Sequence, residues 1–118
     1  MSSSTPDDYL PLTPVAFEIL LAVADAERHG YGIMQDIEGS TDGRMRLNPG
    51  TLYRAVGRLV DAGLLTESEA RPAPDLDDAR RRYYAATALG LRVAEAEANR
   101  LATQVAAARS KKALDVQV

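Results

Sequence analysis

The sequence predicts a mainly α-helical fold with a small β-hairpin: a winged helix-turn-helix followed by a long C-terminal helix. Three helical segments come first, two strand-like segments separated by a Pro- and Asp-rich stretch follow, and a long segment with coiled-coil-like apolar spacing comes last. Three helices followed by a hairpin is the order of a winged helix-turn-helix. We therefore divide the chain into a disordered arm (1–10), the winged domain (11–87), a dimerisation helix (88–112) and a tail (113–118).

Composition limits the classes to which the protein can belong. It has 118 residues, 46% of them hydrophobic and 26% charged, which is typical of one globular domain with a modest core. It has no cysteine, which excludes a disulfide, a thiolate nucleophile and a cysteine-based zinc site. Its apolar runs are too short to span a membrane, and residues 1–10 lack the features of a signal peptide. We expect a cytoplasmic protein without membrane contact, metal or other cofactor.

The charges are unevenly distributed along the chain. Residues 1–43 carry one basic and eight acidic residues, a net charge of −7. Residues 44–82 carry eight basic and six acidic residues, and residues 83–118 carry five and three, so each of these segments has a net charge of +2. The total of −3 argues against nucleic acid as a partner. The distribution instead predicts that a nucleic-acid footprint is confined to one face.

The first helix is expected over Pro14–Ala26, after the disordered arm. Residues 1–8 are rich in Ser, Pro and Asp, a composition typical of disorder. Thr13 can cap the helix, and proline is favourable at its first position. Nearly every residue up to Ala24 is apolar, so the helix needs cover on more than one side. A domain of this size can hardly supply that cover alone, which indicates a dimer.

The segment His29-Gly30-Tyr31-Gly32 interrupts the helical pattern, and a second short helix is expected to follow as far as Ser40. His29 could bind a metal, sense pH or cap the helix. No second histidine and no cysteine accompanies it, so we favour capping or another structural hydrogen bond. The alternation in residues 44–47 then predicts a short strand.

The clearest signals in the chain mark a central helix. Asn48 is a good N-cap, Pro49 suits the first helical position, and Gly63 supplies a left-handed residue at the end. A helical projection gives a buried stripe of Leu52, Ala55, Val56, Leu59 and Gly63. The opposite face carries Arg54 and Arg58, one turn apart, among small residues. That pattern suits close approach to a phosphate or a guanine edge, and it also fits a solvated face with two ordinary arginines.

Two strands are expected after the central helix, over Leu64–Glu69 and Arg80–Thr87. The second is rich in tyrosine, which favours strands. Between them lies an exposed tip with two prolines and three aspartates. Arg80, Arg81 and Arg82 stand at the base of the tip. They would either lie near the backbone of a duplex docked on the central helix or form a solvated turn balanced by the aspartates.

Thr87 is expected to cap the last helix, which should run to Lys112. Its apolar residues recur every three or four positions from Leu91 to Ala108, which is typical of a coiled-coil seam. We expect this seam to pair with a partner chain, with the apolar first helix as the rest of the interface. The expected dimer contacts are Phe17, Leu20, Leu21, Leu91, Ala94, Ala98, Leu101 and Val105.

These residues, in this order, resemble the PadR family of bacterial transcriptional regulators. The resemblance rests on three motifs. The first is His29–Ile33; the second is Asn48–Tyr53, followed by Arg58-Leu59 and Gly63–Leu65; the third is Arg81–Tyr84, followed by Thr87 and Gly90. It covers residues 12–101 and fits the short subgroup with a single C-terminal helix. The resemblance implies a homodimeric winged helix-turn-helix repressor of transcription, and two-fold symmetry implies an inverted repeat in double-stranded DNA as the operator.

Matching motifs imply that Tyr31, Thr51 and Tyr53 contact the DNA backbone and that Arg81 and Arg82 contact it from the wing. Helical geometry adds two arginines of the central helix. The expected DNA contacts are therefore Tyr31, Asn48, Thr51, Tyr53, Arg54, Arg58, Arg80, Arg81 and Arg82. One departure from the family pattern concerns Ala85 and Ala86, which replace larger residues and predict a loosely packed junction between the wing and the last helix.

Two other classes of protein compete with a DNA-binding regulator. An enzyme is not expected, because the carboxylate pairs Asp7-Asp8 and Asp77-Asp78 fall on loops and no phosphate-binding loop or Cys/His pair is present. A winged domain that serves as a protein-interaction adaptor through its acidic first third remains an alternative. Salt-sensitive retention on heparin favours DNA binding, and indifference to heparin favours the adaptor.

The alanines of the last helix leave one further point open. They either leave a cavity at the dimer centre for a small apolar or aromatic effector, or let the helices pack closely with no cavity. The sequence identifies neither an effector nor the operator.

Overall fold

The protein's structure, a computed structural model, describes residues 5–69 and 82–111. The elements are a 3₁₀ helix (Pro6–Tyr9), α1 (Pro14–Ala22), β1 (Arg28–His29), α2 (Gly30–Ser40), α3 (Pro49–Asp61), β2 (Leu65–Glu69), β3 (Arg82–Ala86) and α4 (Ala88–Ser110). The strands form one antiparallel sheet in the order β1-β3-β2. The predicted fold class, mainly helical with a small β-hairpin in a winged-helix arrangement, is confirmed.

Side-chain caps begin each of the four α-helices in the described ranges. In each case the cap residue accepts a hydrogen bond from the backbone N–H three residues further on, and the caps are Thr13, His29, Asn48 and Thr87. Such caps satisfy N–H groups that have no partner within the helix. The caps predicted at Thr13, Asn48 and Thr87 are confirmed. Gly63 has a φ of +82°, the left-handed conformation predicted for the end of α3.

The first helix is shorter than predicted. It ends at Ala22 rather than Ala26, because the chain must turn to place Arg28 and His29 as a strand beside β3. The guanidinium Nε of Arg28 donates to the carbonyl oxygen of Ala22 at 2.6 Å and so satisfies a carbonyl at the helix end. The two-residue strand β1 is an element that the sequence analysis missed.

The strand predicted over residues 44–47 is wrong. These residues are irregular, and the backbone N–H of Met45 bonds to the hydroxyl of Thr41 at 3.0 Å. Both edges of the central strand β3 are already occupied, by β1 and β2.

The predicted wing hairpin is formed by β2 and β3. Its register pairs Leu65 with Ala86 and Glu69 with Arg82. The expected tip, together with Arg80 and Arg81, lies outside the described residues.

The core lies where α1, α2 and α3 meet the start of β2, β3 and the first half of α4. Its fully buried large side chains are Ile19, Leu20, Ile33, Ile37, Leu52, Leu64 and Val93. Leu52, Val56 and Leu59 confirm the buried stripe predicted for α3. From the sheet, Tyr84 enters this core, and burial raises the pKa of its phenol above the ordinary value.

Thr87 and Gly90 join the wing to α4 tightly. The Thr87 hydroxyl donates to the carbonyl oxygen of Gly63 at 2.7 Å and accepts from the N–H of Gly90 at 2.9 Å. The Thr87 N–H bonds to the carbonyl oxygen of Leu64 at 3.0 Å. A Cβ placed on Gly90 would lie 2.0 Å from that same Leu64 oxygen. The loosely packed junction expected from Ala85 and Ala86 is therefore wrong, because close backbone packing replaces large side chains there.

A buried ion pair lies on α4. Glu97 is 3% exposed, and Arg100 donates to both of its carboxylate oxygens, from Nε at 2.8 Å and from Nη2 at 2.7 Å. The hydrogen bond from Arg100 holds the pKa of the Glu97 carboxyl below its ordinary value, and the Leu12 backbone contributes in the same direction. This pair connects α4 to the segment that precedes α1.

That N-terminal segment corrects the expectation of a disordered arm for residues 5–10, while residues 1–4 of the expected arm lie outside the described residues. Residues 6–9 form a 3₁₀ helix, and the N–H of Thr5 bonds to the Asp8 carboxylate at 2.9 Å. Tyr9 and Leu10 pack against the core. Apolar anchors at the end of the segment therefore order it despite its polar start.

The junction at Gly90 yields a stability prediction. Gly90→Ala should destabilise the fold by roughly 1–3 kcal/mol or more, because the added methyl group meets a backbone oxygen that cannot move aside. Gly39→Ala is the matched control, since nothing lies within 4 Å of a Cβ at this exposed position in α2. It should stabilise the fold by about 0.5–1 kcal/mol. Chemical denaturation measures both, and equal stability of the two variants would contradict the packing described.

The buried pair predicts a pH-dependent stability. Because the pKa of Glu97 is lowered in the folded state, its charge stabilises the fold above the unfolded-state pKa of roughly 4.3, and that contribution is lost as pH falls through the lower folded value. Glu97→Gln should cost roughly 1–3 kcal/mol at pH 7 and progressively less below about pH 4.3.

Thermal melts of Glu97→Gln across this pH range test the expectation. Glu95→Gln, a change of the same kind at an exposed position of α4, is the control and should change little. A loss for Glu97→Gln that does not shrink at low pH would show that the carboxylate charge is not responsible.

Candidate nucleic-acid interface

The outer face of α3 is exposed, as predicted. Gly50, Arg54, Gly57, Arg58 and Asp61 are all on the surface. A Cβ on Gly50 would lie 3.5 Å from Nη1 of Arg54, so the Arg54 guanidinium lies along the first turn of the helix. Among the described residues, neither Arg54 nor Arg58 forms an ion pair with a carboxylate. Two guanidinium groups are therefore presented to solvent on a face with little side-chain bulk.

Asn48 positions the start of this helix. Its Oδ1 atom accepts a hydrogen bond from the Thr51 N–H at 2.8 Å. The capping role accounts for its carbonyl oxygen and leaves its amide as the part of Asn48 that could donate to a ligand. Thr51 is half-buried in the first turn, so it lies at the margin of the exposed face.

The N-terminus of α2 lies against the start of α3. A Cβ on Gly30 would be 2.0 Å from the Tyr53 hydroxyl oxygen, so the tyrosine ring packs directly over this glycine. Tyr31 nevertheless remains 60% exposed and Tyr53 47% exposed. The close approach at Gly30 thus brings two phenol groups from different helices to the same region of the surface.

His29 connects that region to the sheet. Its Nδ1 accepts a hydrogen bond from the Gly32 N–H at 3.0 Å, which confirms the predicted capping role. Its ring stacks on Tyr31 with centroids 6.4 Å apart and meets the edge of Tyr83, from β3, at 5.4 Å. His29 is not among the DNA contacts predicted from the sequence. His29 and Tyr31 are only two positions apart in the sequence, so their proximity could be expected. The contact of His29 with Tyr83 depends on the pairing of β1 with β3, and β1 was not predicted.

Arg82 is not a free cation. Its guanidinium pairs with Glu67, which lies across the hairpin on β2. More than half of the Arg82 side chain is exposed, so it can still face a ligand, but with its charge shared. Arg80 and Arg81, expected beside it, lie outside the described residues.

The loop between α2 and α3 places further basic side chains before the N-terminus of α3. They belong to residues 44–47, which were predicted to form a strand. Arg44 is exposed, and Arg46 pairs with Glu38 at 3.4 Å. Their position before α3 follows from the irregular path of residues 44–47 and was not predicted as part of a site.

The described part of the chain gives two further findings. It contains no helix that is long and apolar enough to cross a membrane. Nor does it bring together three or more His, Cys, Asp or Glu side chains in a cluster that could hold a metal ion.

Residues 19–96 match the Transcriptional regulator PadR-like family. This is more than half of the chain. The protein belongs to that family.

Solved structures share the PadR-like fold seen here. A transcriptional regulator from Clostridium thermocellum has a TM-score of 0.69 and 23% identity, with 93% of this chain and 96% of that chain covered. RosR from H. salinarum has a TM-score of 0.62 and 28% identity, with 84% and 79% covered. A PadR-like transcription factor from Bacteroides fragilis has a TM-score of 0.60 and 24% identity, with 77% and 85% covered.

A sequence relative also resembles this PadR-like protein. An uncharacterized protein of Lysinibacillus sphaericus is 32% identical over 72 residues. The match covers 61% of this chain and 63% of the relative, so the chain spans less than two thirds of that relative's length.

A second surface of this PadR-like protein is apolar. Leu91 and Val105, two turns of α4 on either side of the exposed Ala98, are 43% and 44% exposed, and Leu21 of α1 is also exposed. Residues 102–107 are exposed around the whole circumference of α4. This part of the helix therefore has little contact with its own subunit.

The expected dimer residues separate into two groups. Leu20 is 0% exposed and Ala94 is 7% exposed, so both belong to the core of their own subunit. Their assignment to a partner surface is corrected, because α4 turns the Ala94 side of its seam towards α1. Phe17 and Leu101 are half-buried at the border of the two regions.

Proposed function

We propose that this PadR-like regulator binds double-stranded DNA sequence-specifically through the outer face of α3 and represses transcription. The observation that carries the proposal is a pair of arginines, Arg54 and Arg58, which form no ion pair with any described carboxylate and lie on an exposed helix face lined with glycine. Arginine forms two parallel hydrogen bonds with a phosphate or with a guanine edge, and small neighbours allow the backbone of the helix to approach. Membership of a family of transcriptional regulators supports the same reading.

The surroundings of α3 support the proposal. Tyr31 and Tyr53 are exposed beside its N-terminal end and can donate hydrogen bonds to phosphates, as can the Asn48 amide and the Thr51 hydroxyl. Such contacts fix the register of a helix on the duplex without reading sequence. The wing would contribute Arg82, with Arg80 and Arg81, at the flank.

We further propose that the protein acts as a homodimer on an inverted repeat. The exposed line of Leu91, Ala98 and Val105 supplies an apolar stripe along one side of α4 that a second copy can cover. A two-fold dimer places its two α3 helices on half-sites about one helical turn apart, which is about 10 base pairs.

The dimer centre is also where an apolar or aromatic effector would act. Leu20 and Ala94 are excluded from its walls, which leaves Phe17, Leu21 and Leu101 around the exposed line of α4. An effector there would release DNA only by binding the DNA-incompetent state more tightly, since equal affinity for both states shifts nothing.

Arginine substitutions test the DNA-binding face. Arg54→Ala and Arg58→Ala should each weaken binding by ~1–3 kcal/mol if the guanidinium reads a base, or lower the salt slope by about one if it touches a phosphate. Gel-shift titrations at several salt concentrations, on DNA retained from the genome by the purified protein, measure both quantities.

Arg109→Ala is the matched control, because it removes the same charge from an exposed position at the far end of α4. It should change affinity much less. If Arg54→Ala and Arg58→Ala behave like this control, α3 is not the binding face. If the wild type ignores heparin and genomic DNA altogether, the protein-interaction adaptor takes precedence.

Two aspartate substitutions test the dimer. Ala98 and Ala107 are both exposed alanines of α4, nine residues apart and therefore on opposite sides of the helix. Ala98→Asp should dissociate the dimer, because it buries an unpaired charge in the apolar interface, whereas Ala107→Asp should leave it intact. Analytical ultracentrifugation gives the masses. A stable dimer for Ala98→Asp would remove this face of α4 from the interface.

A further inference from the structure

His29 lies where three parts of the proposed DNA-binding surface meet. It caps α2 through the bond from Gly32, stacks on Tyr31 and meets Tyr83 of the wing strand β3 edge-on. In the sheet, His29 is also the register partner of Tyr83. One side chain thus connects the start of α2, an exposed phenol and the wing.

The cap requires a neutral imidazole. Nδ1 accepts the hydrogen bond from Gly32, so it must carry a lone pair and no proton. Protonation would place a donor against the Gly32 N–H and a positive charge at the N-terminus of α2, where the helix dipole disfavours cations. The same event would therefore break the cap and remove the hydrogen bond that orients the His29 ring beside Tyr31.

The charged groups near His29 in the described part of the chain form several pairs with one another. On β1, the neighbouring Arg28 pairs with Asp25 and with Asp36 of α2, each at 3.8 Å. On the far side of β3, Glu67 pairs with Arg82, and Ser68 donates to Glu27 at 3.3 Å. Among the described residues, the ring of Tyr31 stacks on His29, the ring of Tyr83 meets it edge-on, and Tyr53 packs over the neighbouring Gly30.

We propose that His29 is a positioning residue for DNA binding, which holds Tyr31 and the wing in the binding arrangement only while its imidazole is neutral. Operator affinity should then fall as pH is lowered through the titration of His29. The inference rests on the proposed DNA-binding function. The direction of this pH dependence distinguishes the role from simple charge attraction. A histidine that only attracted phosphate would raise operator affinity on protonation.

The composition makes this inference accessible to experiment. His29 is the single histidine of the 118-residue chain, and there is no cysteine. Histidine is the side chain whose ordinary titration falls between pH 5 and 8. If DNA binding depends on pH in that range and the dependence disappears when His29 is substituted, the dependence is therefore assigned to His29.

The experiment compares the wild type, His29→Asn and His29→Ala by gel shift or fluorescence anisotropy from pH 5.5 to 8.0 at constant ionic strength. The wild type should weaken on the order of tenfold across this range, the scale of a lost helix cap. His29→Asn keeps an acceptor at the cap position and does not titrate, so its affinity should be independent of pH. His29→Ala has no cap and should be weak at every pH.

An NMR titration of the free wild type supplies a readout that does not depend on DNA. The Gly32 amide and the Tyr31 and Tyr83 rings should all shift with the midpoint of His29, and circular dichroism should show that both variants remain folded.

The outcomes separate this inference from the function on which it rests. Failure of the wild type to bind DNA at any pH contradicts the proposed function. Binding that does not depend on pH, that tightens at low pH, or that depends on pH equally in His29→Asn overturns the role of His29 and leaves the DNA-binding face untouched. A Gly32 amide that does not follow the titration also overturns it.

Discussion

Thr87 holds together the end of α3, the wing and the start of α4. Its hydroxyl and backbone bond to Gly63, Leu64 and Gly90. Because Gly90 has no side chain, the first turn of α4 can sit directly on the Leu64 carbonyl. This joint holds the start of the proposed dimerisation helix against the end of the proposed DNA-binding helix, and the packing of α4 on α1 then fixes the direction of the rest of α4. The spacing of the two α3 helices in a dimer depends on that direction.

A second joint, at the start of α2, holds the N-terminal end of α3. Tyr53 of α3 packs on Gly30, and His29 reaches from the cap of α2 to the wing strand. The exposed phenols are thereby fixed by the fold rather than carried on a free loop. In the proposed function, α3 would read the groove while these rigid neighbours, together with the Asn48 and Thr51 groups, set its position on the backbone.

Local signals predicted much of this arrangement, and long-range contacts account for what was missed. Asn48, Pro49 and Gly63 define α3 because capping and left-handed residues act within a few positions of the chain. The strand β1 has only two residues and exists through its pairing with β3, so no periodicity could indicate it. Leu20 and Ala94 show the same limit, because an apolar residue fits a core and an interface equally well. The pairing of Arg82 with Glu67 likewise depends on the register of the hairpin.

The central claim is that two copies of the chain present α3 to successive turns of one DNA face. Hydroxyl-radical footprinting of the intact protein on DNA that it selects from a random pool tests this claim most directly. Two protected windows are expected on one face of the duplex, centred about one helical turn apart over an inverted repeat. A single window without two-fold symmetry, or selection of no sequence at all, would contradict it.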